Sequence, residues 1–285
     1  RGLCSAAPAA AAAAPASAPR SLRLAFGAGC VPKVENTLGE DAYFASHRLA
    51  TFGLADGVGS WALQGVDAGL FARALLRLAH GAVAQQAADQ QRADLHEALR
   101  AAFEAVRREP PQGSCTVLLG QLHQETLSVL NLGDCGVLVL RPPAPSPGVR
   151  TRGRPRCLYR SSAMLHRPNY PLQLSSMDAG GAALEPFDLV AVRLRKGDIV
   201  IAGTDGLFDN VADRELEALV LKHGGKGAVQ LADQIVSRAA DSARAPMEFA
   251  GGGKLDDIAV VVAEVVERQP AEGEGGLLEN MEEAA

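Results

Sequence analysis

The chain has 285 residues, 47% of them hydrophobic, and a formal net charge of -5 at pH 7. This length supports one large domain or two small ones with an ample apolar core. The negative charge argues against general affinity for nucleic acid, and no apolar stretch approaches the length that crosses a bilayer, so we expect neither a nucleic-acid partner nor a membrane span.

The two ends of the chain differ in composition from the rest. Residues 1–22 are mostly Ala, Pro and Ser and contain no acid. They predict a disordered leader or the remnant of an organelle transit peptide, although an Ala/Pro-rich linker has the same composition. Residues 267–285 are rich in glutamate without apolar periodicity, which predicts a disordered acidic tail. We expect one folded domain over residues 23–266.

The first half of this domain alternates between strand and helix patterns. Apolar residues dominate two short stretches that predict strands, and two longer stretches place apolar residues three or four positions apart, which predicts helices. The predicted strands cover 41–46 and 49–55, and the predicted helices cover 67–87 and 93–108. Pro110 and Pro111 end the second helix.

The middle of the chain contains three short β-rich runs, over 113–123, 125–134 and 135–141. Turn residues separate them, so the sequence predicts an antiparallel meander. Residues 141–156 follow, with five arginines and several prolines. This composition predicts a mobile basic surface loop, and a docking patch for acidic or phosphorylated partners is the alternative.

The last part of the domain returns to strands and helices. Apolar stretches over 187–198 and from Ile199 predict two strands, and residues 256–266 predict a final one. Helical spacing predicts helices over 213–222 and 227–243.

Acidic residues recur at the ends of these predicted strands. Asp56 and Asp205 each follow an apolar strand and precede glycine, Asp256 precedes a strand, and Glu40 with Asp41 opens one. A single Asp-Gly pair is more often a turn than a site. Strand-end carboxylates can, however, converge at one edge of a sheet, and oxygen ligands without His or Cys select Mg²⁺ or Mn²⁺.

Residue spacing argues against three other kinds of site. In a calcium loop that starts at Asp205, Asn210 stands at the sixth position and Leu216 at the twelfth, where glycine and glutamate are required. The five cysteines are scattered without a CxxC pair, which argues against a zinc site and a disulfide framework. The run after Cys115 lacks the arginine of a cysteine phosphatase, so Cys115 is predicted to be a core residue.

Six motifs together resemble the metal-dependent serine/threonine protein phosphatases of the PPM (type 2C) family in order and spacing. They are GEDA (39–42), LADGVGSW (54–61), GSCTV (113–117), NLGDCGVLVLR (131–141), GDIVIAGTDGLFDN (197–210) and GGKLDDIAVVVA (252–263). The resemblance extends from about Phe26 to Val266. DGVGSW, TDGLFDN and NYPLQLS (169–175) are most similar to the organellar branch, exemplified by the mitochondrial matrix phosphatase, whose plant and algal members can reside in plastids.

The resemblance implies an α+β fold, a four-layer α-β-β-α sandwich of two antiparallel sheets flanked by helices. It implies a phosphatase that hydrolyses phosphoserine and phosphothreonine through a hydroxide bridging two Mg²⁺ or Mn²⁺ ions. Phosphorylated proteins would be its substrates. We expect a mitochondrial or chloroplast location and a monomer, although no motif bears on oligomeric state.

The resemblance also assigns roles to single residues. Asp56 would bridge both metals with an added oxygen from the Gly57 carbonyl, Asp205 and Asp256 would bind the first metal, and Glu40 the second. Asp41 would orient the ligands, and Asp257 would not be one. Asp134 and Asp209 match a weaker third metal site, with a turn aspartate and a helix-start aspartate as equally supported alternatives.

Two departures from the family pattern affect phosphate binding and the protonation of the leaving group. Larger relatives place an arginine shortly before the GEDA-like motif to bind the substrate phosphate, whereas residues 31–38 here offer only Lys33. Lys33 is therefore the candidate for phosphate binding, with a solvated surface lysine as the alternative. Val58 stands where many relatives carry a histidine proposed as general acid. Trp61 is predicted to pack against the loop that carries Asp56.

Two other functions remain open. A catalytically weak or silent family member could act as a regulatory binding module, but the loss of metal-ligand acids that would favour it is not seen. A hydrolase of small phosphoesters would need a deep narrow pocket, which the sequence does not reveal.

Overall fold

The computed structural model describes residues 22–90, 92–108, 111–144, 153–178, 187–245, 253–268 and 277–280. The predicted leader lies outside the described residues except for Leu22. Within the described part, no helix combines the length and apolarity needed to cross a membrane.

The described residues form fifteen strands and five α-helices, with 3-10 turns at Gly59–Gln64 and Gly224–Lys226. The strands are β1 Leu22–Val31, β2 Asp41–Ser46, β3 Thr51–Asp56, β4 Ser114–Cys115, β5 Val117–His123, β6 Thr126–Leu132, β7 Gly136–Arg141, β8 Arg156–Arg160, β9 Leu165–Arg167, β10 Tyr170–Pro171, β11 Leu174–Ser175, β12 Asp188–Arg193, β13 Ile199–Gly203, β14 Ile258–Glu267 and β15 Leu277–Glu279. The helices are α1 Ala68–Gln90, α2 Leu95–Val106, α3 Asp205–Phe208, α4 Asp213–His223 and α5 Ala228–Ala243.

Two large antiparallel sheets form the centre of the fold. One has five strands in the order β1-β14-β13-β7-β8, and the other has six in the order β12-β6-β5-β3-β2-β15. The predicted α+β sandwich of two antiparallel sheets flanked by helices is therefore confirmed.

Three apolar cores separate the four layers. Phe52 and Val261 lie in the core between the two sheets. Leu75 of α1 and Leu99 of α2 share a second core with the outer face of the six-stranded sheet, and Leu231 of α5 belongs to the third core, on the five-stranded sheet. The helices pack here because apolar residues at helical spacing give each of them one face to bury.

The predicted helices are confirmed within three residues at each end. Cys115 is fully buried, as predicted for a core residue. Strand β1 was missed, because its Gly27, Gly29 and small alanines weaken the apolar alternation that identifies a strand.

The predicted meander is wrong. β5 and β6 form a hairpin in the six-stranded sheet, but β7 pairs with β13 and β8 in the five-stranded sheet. The chain changes sheets at Gly133, whose φ of 111° is readily accessible only to glycine. Local strand patterns do not show which sheet a strand joins.

The predicted disordered tail is corrected at residues 277–280. Leu277–Glu279 pair with β2 and cover its open edge, and the partly buried Leu278 packs against the core between the sheets. Asn280 then accepts a hydrogen bond from the Tyr43 backbone N–H at 2.6 Å and donates one to the Asp41 carbonyl at 3.1 Å. Residues 269–276 and 281–285 lie outside the described residues.

The basic segment 141–156 is described only at its ends. Arg141 and Arg156 belong to β7 and β8, so the loop is shorter than predicted. Arg154 donates two hydrogen bonds to Glu217 of α4, at 3.0 and 2.7 Å. Residues 145–152 lie outside the described residues, and a docking role for them stays a prediction.

Candidate metal centre and active site

The predicted acidic residues meet at one end of the sandwich. Asp41 begins β2 and pairs directly with Asp56 at the end of β3. Asp205 follows the end of β13, and Asp256 precedes β14, whose first residues pair with that end of β13. The Thr204 hydroxyl donates to Asp41 Oδ2 at 2.7 Å and so links the two sheets at this edge.

The carboxylates of this cluster face one another closely enough to shift their protonation. Burial, together with the charges of Asp41, Asp205, Asp134 and Asp256, raises the pKa of Asp56 well above its ordinary value. Burial and neighbouring carboxylates likewise raise the pKa of Asp41. A cluster of like charges withdrawn from water is stable only when cations or protons compensate it.

Lys33 is one of two lysines that enter the cluster. Its ammonium lies 2.5 Å from Glu40 Oε2, 3.5 Å from Asp257 Oδ2 and 3.6 Å from Asp256 Oδ1. Burial alone would lower the pKa of Lys33, but the hydrogen bond to Glu40 and the nearby carboxylates raise it overall. Lys33 is therefore bound within the site and is not a solvated surface lysine.

Lys254 is the second lysine, and sequence reasoning missed it. Its ammonium lies 2.5 Å from Asp205 Oδ2, 3.1 Å from Asp256 Oδ2 and 3.2 Å from Asp209 Oδ2. The available signal was its place in the quoted motif GGKLDD, two residues before Asp256. Between them the two lysines contact most of the predicted ligand acids.

The donor set fits a divalent cation. In the described part of the chain no three His, Cys, Asp or Glu side chains are arranged to hold an ion as they stand, and the lysine ammonium groups lie between the carboxylates. Two buried oxygens, Asp205 Oδ1 and Asp134 Oδ1, have no hydrogen-bond partner. Such oxygens are costly unless a cation satisfies them, and an all-oxygen set suits Mg²⁺ or Mn²⁺.

Two glycines allow the backbone to approach at this edge. A Cβ on Gly57 would lie 2.7 Å from the Glu40 carbonyl oxygen and 2.9 Å from that of Ala68, and one on Gly206 would lie 1.9 Å from the Asp257 carbonyl oxygen. These contacts explain why glycine follows both Asp56 and Asp205. Any side chain there would push apart the segments that carry the acids.

Asp257 positions the segment that carries Lys33 and Glu40. Its Oδ1 accepts from the Lys33 backbone N–H at 2.6 Å, and its Oδ2 accepts from the Glu40 N–H at 2.9 Å. The side chain is only 3% exposed. Both Asp257 oxygens therefore accept hydrogen bonds from the backbone, and the ligand position of Asp256 stays a prediction.

Asp134 and Asp209 line a cavity of about 250 Å³, and Asp205 also belongs to its lining. Burial and the charge of Asp205 raise the pKa of Asp134 to about 6. Asp134 lies in the turn between β6 and β7, as one alternative held. Asp209 follows α3 at its C-terminal end, so the helix-start alternative is wrong for it.

Trp61 lies in the 3-10 turn that follows Asp56 and Gly57. Its Nε1 donates to Ser114 Oγ at 2.7 Å, and that hydroxyl donates to Gln173 Oε1 at 2.6 Å. Trp61 thus ties the loop after Asp56 to β4, which agrees with its predicted structural role.

Comparison with known proteins connects this geometry to one family. The family model described as "Stage II sporulation protein E (SpoIIE)" matches residues 46–266. "Probable protein phosphatase 2C BIPP2C1" of Oryza sativa subsp. japonica is 36% identical over 86% of this chain and 43% of its own length. "Probable protein phosphatase 2C 26" of Arabidopsis thaliana is 32% identical over 86% of this chain and 85% of its own length.

A further relative and two solved structures extend the comparison. "Protein phosphatase PTC7 homolog fig" of Drosophila ananassae is 32% identical over 83% of this chain and 76% of its own length. The photosystem II phosphatase PBCP superposes with a TM-score of 0.68 at 27% identity, covering 85% of this chain and 98% of that one.

The catalytic domain of the phosphatase PstP, in complex with two manganese ions, superposes with a TM-score of 0.60 at 20% identity, covering 87% of this chain and 100% of that one. At that identity the likeness shows the fold alone. The chain spans between 43% and 59% of the length of several plant relatives it matches.

Proposed function

Since the chain belongs to the protein phosphatase 2C (PPM) family, we propose that it is a metal-dependent phosphatase that hydrolyses phosphoserine and phosphothreonine in protein substrates. The observation that carries this proposal is the convergence of Glu40, Asp56, Asp205 and Asp256 at one edge of the sandwich. No ligand acid of the family pattern is missing. The presence of all four ligand acids disfavours the alternative of a catalytically silent binding module.

The proposed metal ligands follow the family roles. Asp56 would serve both ions, the Gly57 carbonyl would add one oxygen, Asp205 and Asp256 would complete the first site, and Glu40 would complete the second. Support comes from the unpartnered Asp205 Oδ1 and from the mutual influence of these carboxylates on their pKa values. Asp41 orients the cluster through its hydrogen bond with Thr204. Asp134 and Asp209 are proposed for a weaker third ion.

The chain's own residues define how the reaction is organised. Two Mg²⁺ or Mn²⁺ ions, when bound, supply the Lewis acidity that activates a water and neutralises the phosphoryl oxygens. Asp257 holds the Glu40 backbone in place through its hydrogen bond to the Glu40 N–H. Val58, whose N–H donates to the Ser114 carbonyl at 2.9 Å, offers no proton to the leaving group.

Phosphate binding is proposed for Lys33, with Lys254 as its counterpart across the cluster. Both ammonium groups are held by carboxylates that divalent ions would take as ligands. If Glu40 and Asp205 served as metal ligands, Lys33 would keep its contact with Asp257 and Lys254 its contact with Asp209, which leaves both ammonium groups beside the place where a phosphate would bind. Lysine serves this purpose as a point charge, whereas arginine would bind two oxygens at once.

The cellular setting is proposed from the relatives. One solved neighbour is a photosystem II phosphatase, and the DGVGSW and TDGLFDN motifs are similar to the organellar branch. We therefore propose a chloroplast or mitochondrial location. We further propose phosphorylated proteins as partners, no nucleic-acid partner, in line with the net charge of -5, and a monomeric enzyme.

The purified chain is expected to release phosphate from a phosphothreonine peptide in the presence of Mn²⁺ or Mg²⁺. Chelation by EDTA should lower the rate at least about 100-fold, because the metals contribute several kcal/mol to transition-state stabilisation. Phosphate release measured before and after Mn²⁺ is restored tests this prediction. Hydrolysis that EDTA leaves unchanged would contradict the proposed function.

Lys254→Met is expected to tighten Mn²⁺ binding about fivefold or more. The ammonium competes with the metal for Asp205 and Asp256, and a unit charge pair contributes about 1 kcal/mol even in water at about 4 Å. Titration calorimetry on the metal-free protein measures the affinity. Lys196→Met, at a lysine that is 63% exposed, is the matched control. Weaker Mn²⁺ binding in Lys254→Met would show that Lys254 organises the ligands and does not compete with the ion.

A further inference from the structure

A pocket of about 460 Å³ lies beside the candidate metal centre. It is formed by the segment from Lys33 to Glu40 and by residues at and just before the start of α1. Lys33, Glu40 and Asp257 belong to both the pocket and the acidic cluster. The pocket is therefore continuous with the place where a substrate phosphate would bind.

Apolar side chains form much of the remaining wall. Val34, Leu38 and Leu70 line the pocket, and Val34 is 56% exposed and Leu38 43% exposed. Leaving large apolar side chains in water forgoes the free energy of burying them. A concave apolar pocket with a few polar groups at its edge is the usual form of a ligand site.

The pocket wall is held in place by hydrogen bonds. The Thr37 hydroxyl donates to the Val34 carbonyl at 2.7 Å, and Arg73 Nη1 donates to the Gly39 carbonyl at 3.0 Å. Asp257 fixes both ends of the same segment through the backbone N–H groups of Lys33 and Glu40. The exposed apolar side chains therefore sit on a preorganised wall, which lowers the entropic cost of binding a partner.

The charges of the pocket disfavour an acidic occupant. Glu40, Asp67 and Asp257 contribute three carboxylates to its lining. The two cations of the lining, Lys33 and Arg73, each lie 3.5 Å from a carboxylate that is not a proposed metal ligand, Lys33 from Asp257 and Arg73 from Asp67. An acidic or second phosphorylated side chain would meet repulsion here, whereas an apolar one would bury Val34 and Leu38.

We propose that this pocket binds an apolar side chain of the phosphoprotein substrate, located within a few residues of the phosphorylated one. The inference rests on the proposed phosphatase function and adds a substrate preference to it. A substrate that places its phosphate at the metal centre brings its neighbouring residues over Glu40 and Asp257, and thus over the pocket. The pocket selects among phosphorylation sites by the side chain beside them.

The test compares phosphothreonine peptides that differ at one position. Leucine, serine or aspartate is placed in turn at each of the two positions before and after the phosphothreonine. For wild type we expect at least one position where leucine gives a kcat/KM about tenfold above that of serine, the scale of discrimination by an apolar pocket. Aspartate at that position should be poorer than serine.

Two substitutions connect the preference to the pocket. Leu38→Ser and Val34→Ser are expected to reduce the leucine-to-serine ratio of kcat/KM to about threefold or less. Both residues are exposed enough for the fold to tolerate serine. Val229→Ser is the matched control, since Val229 is 61% exposed on α5, outside the pocket lining. It should keep the wild-type ratio.

Three outcomes would overturn the inference. Equal kcat/KM for leucine and serine at every position in wild type would show that no apolar subsite exists. A wild-type ratio retained in both Leu38→Ser and Val34→Ser would place the preference elsewhere. Failure of wild type to hydrolyse any of the peptides or a small phosphoester with Mn²⁺ would overturn the proposed function itself, and the inference with it.

Discussion

Replacing Asp56 by asparagine is expected to lower metal-dependent kcat more than about 100-fold, since even residues that only support a metal ligand typically contribute 10- to 100-fold. Asp56 ends β3 opposite Asp41 and is influenced by the charges of Asp205 and Asp256. Asparagine keeps the shape of the side chain and removes the charge that the proposed binding of two cations would require. Calorimetric Mn²⁺ titration and steady-state kinetics should show both losses together.

The same substitution is expected to stabilise the metal-free protein by about 1 kcal/mol. The raised pKa of Asp56 means that its ionised form is less favourable in the folded than in the unfolded state, so at neutral pH removing the charge favours folding. Urea unfolding in EDTA measures this difference. A site that loses activity while gaining stability is a functional site, not a structural one.

Asp233→Asn provides the matched control, because Asp233 is an exposed carboxylate on α5. It should leave kcat, metal affinity and stability unchanged. If Asp56→Asn retained Mn²⁺-dependent turnover within about tenfold of wild type, the bridging role would be untenable. If it destabilised the metal-free chain, the carboxylate would instead serve the fold.

Local patterns in the sequence were enough to predict the four longer helices and the positions of the acidic residues at strand ends. Leu95, Leu99 and Val106 of α2 recur with the spacing of a buried helix face and are buried. Asp56 and Asp205 each stand between an apolar strand and a glycine. Both patterns depend on short-range geometry, namely the helical period of about 3.6 residues and the residues that directly follow the end of a strand. This is why both survive comparison with the structure.

Contacts between distant parts of the chain could not be predicted. Asp257 binds the Lys33 N–H across 224 positions, and Asn280 donates to the Asp41 carbonyl across 239. No residue pattern in the sequence indicates either contact, because each joins a side chain to a backbone group that almost any residue could supply. The entry of Lys254 into the cluster likewise depends on how β13 and β14 align.

The Arg141–Asp198 ion pair is another contact between distant residues that the sequence did not predict. We infer that it contributes more to stability than any other ion pair of the described residues. Sequence composition placed Arg141 in a mobile basic loop, but it ends β7 and binds Asp198, the residue just before β13. Arg141 Nε and Nη2 donate to the two Asp198 oxygens at 2.7 Å each, and the Arg195 N–H donates to Oδ2 at 2.7 Å. The Asp198 side chain is 0% exposed.

Asp198→Ala is expected to lower the free energy of unfolding by about 3 kcal/mol, the lower end of the usual loss when one partner of a buried ion pair is removed, because the Arg141 side chain is 24% exposed to water. The arginine would be left without its partner, and the Arg195 N–H without its acceptor. Urea unfolding of the metal-free chain measures the loss. Activity at low temperature should stay near wild type, because Asp198 lies at the opposite end of β13 from Asp205.

Glu125→Ala is the control for the effect of burial, because it breaks an arginine–carboxylate pair of similar geometry on the exposed surface. Arg193 donates to Glu125 through Nε at 3.1 Å and Nη2 at 2.7 Å, but the two side chains are 81% and 45% exposed. Breaking this surface pair should change stability by about 1 kcal/mol or less. Equal losses of unfolding free energy in the two variants would mean that burial does not strengthen the Arg141–Asp198 pair. A large loss confined to Asp198→Ala would show that this pair stabilises the association of β7 with β13.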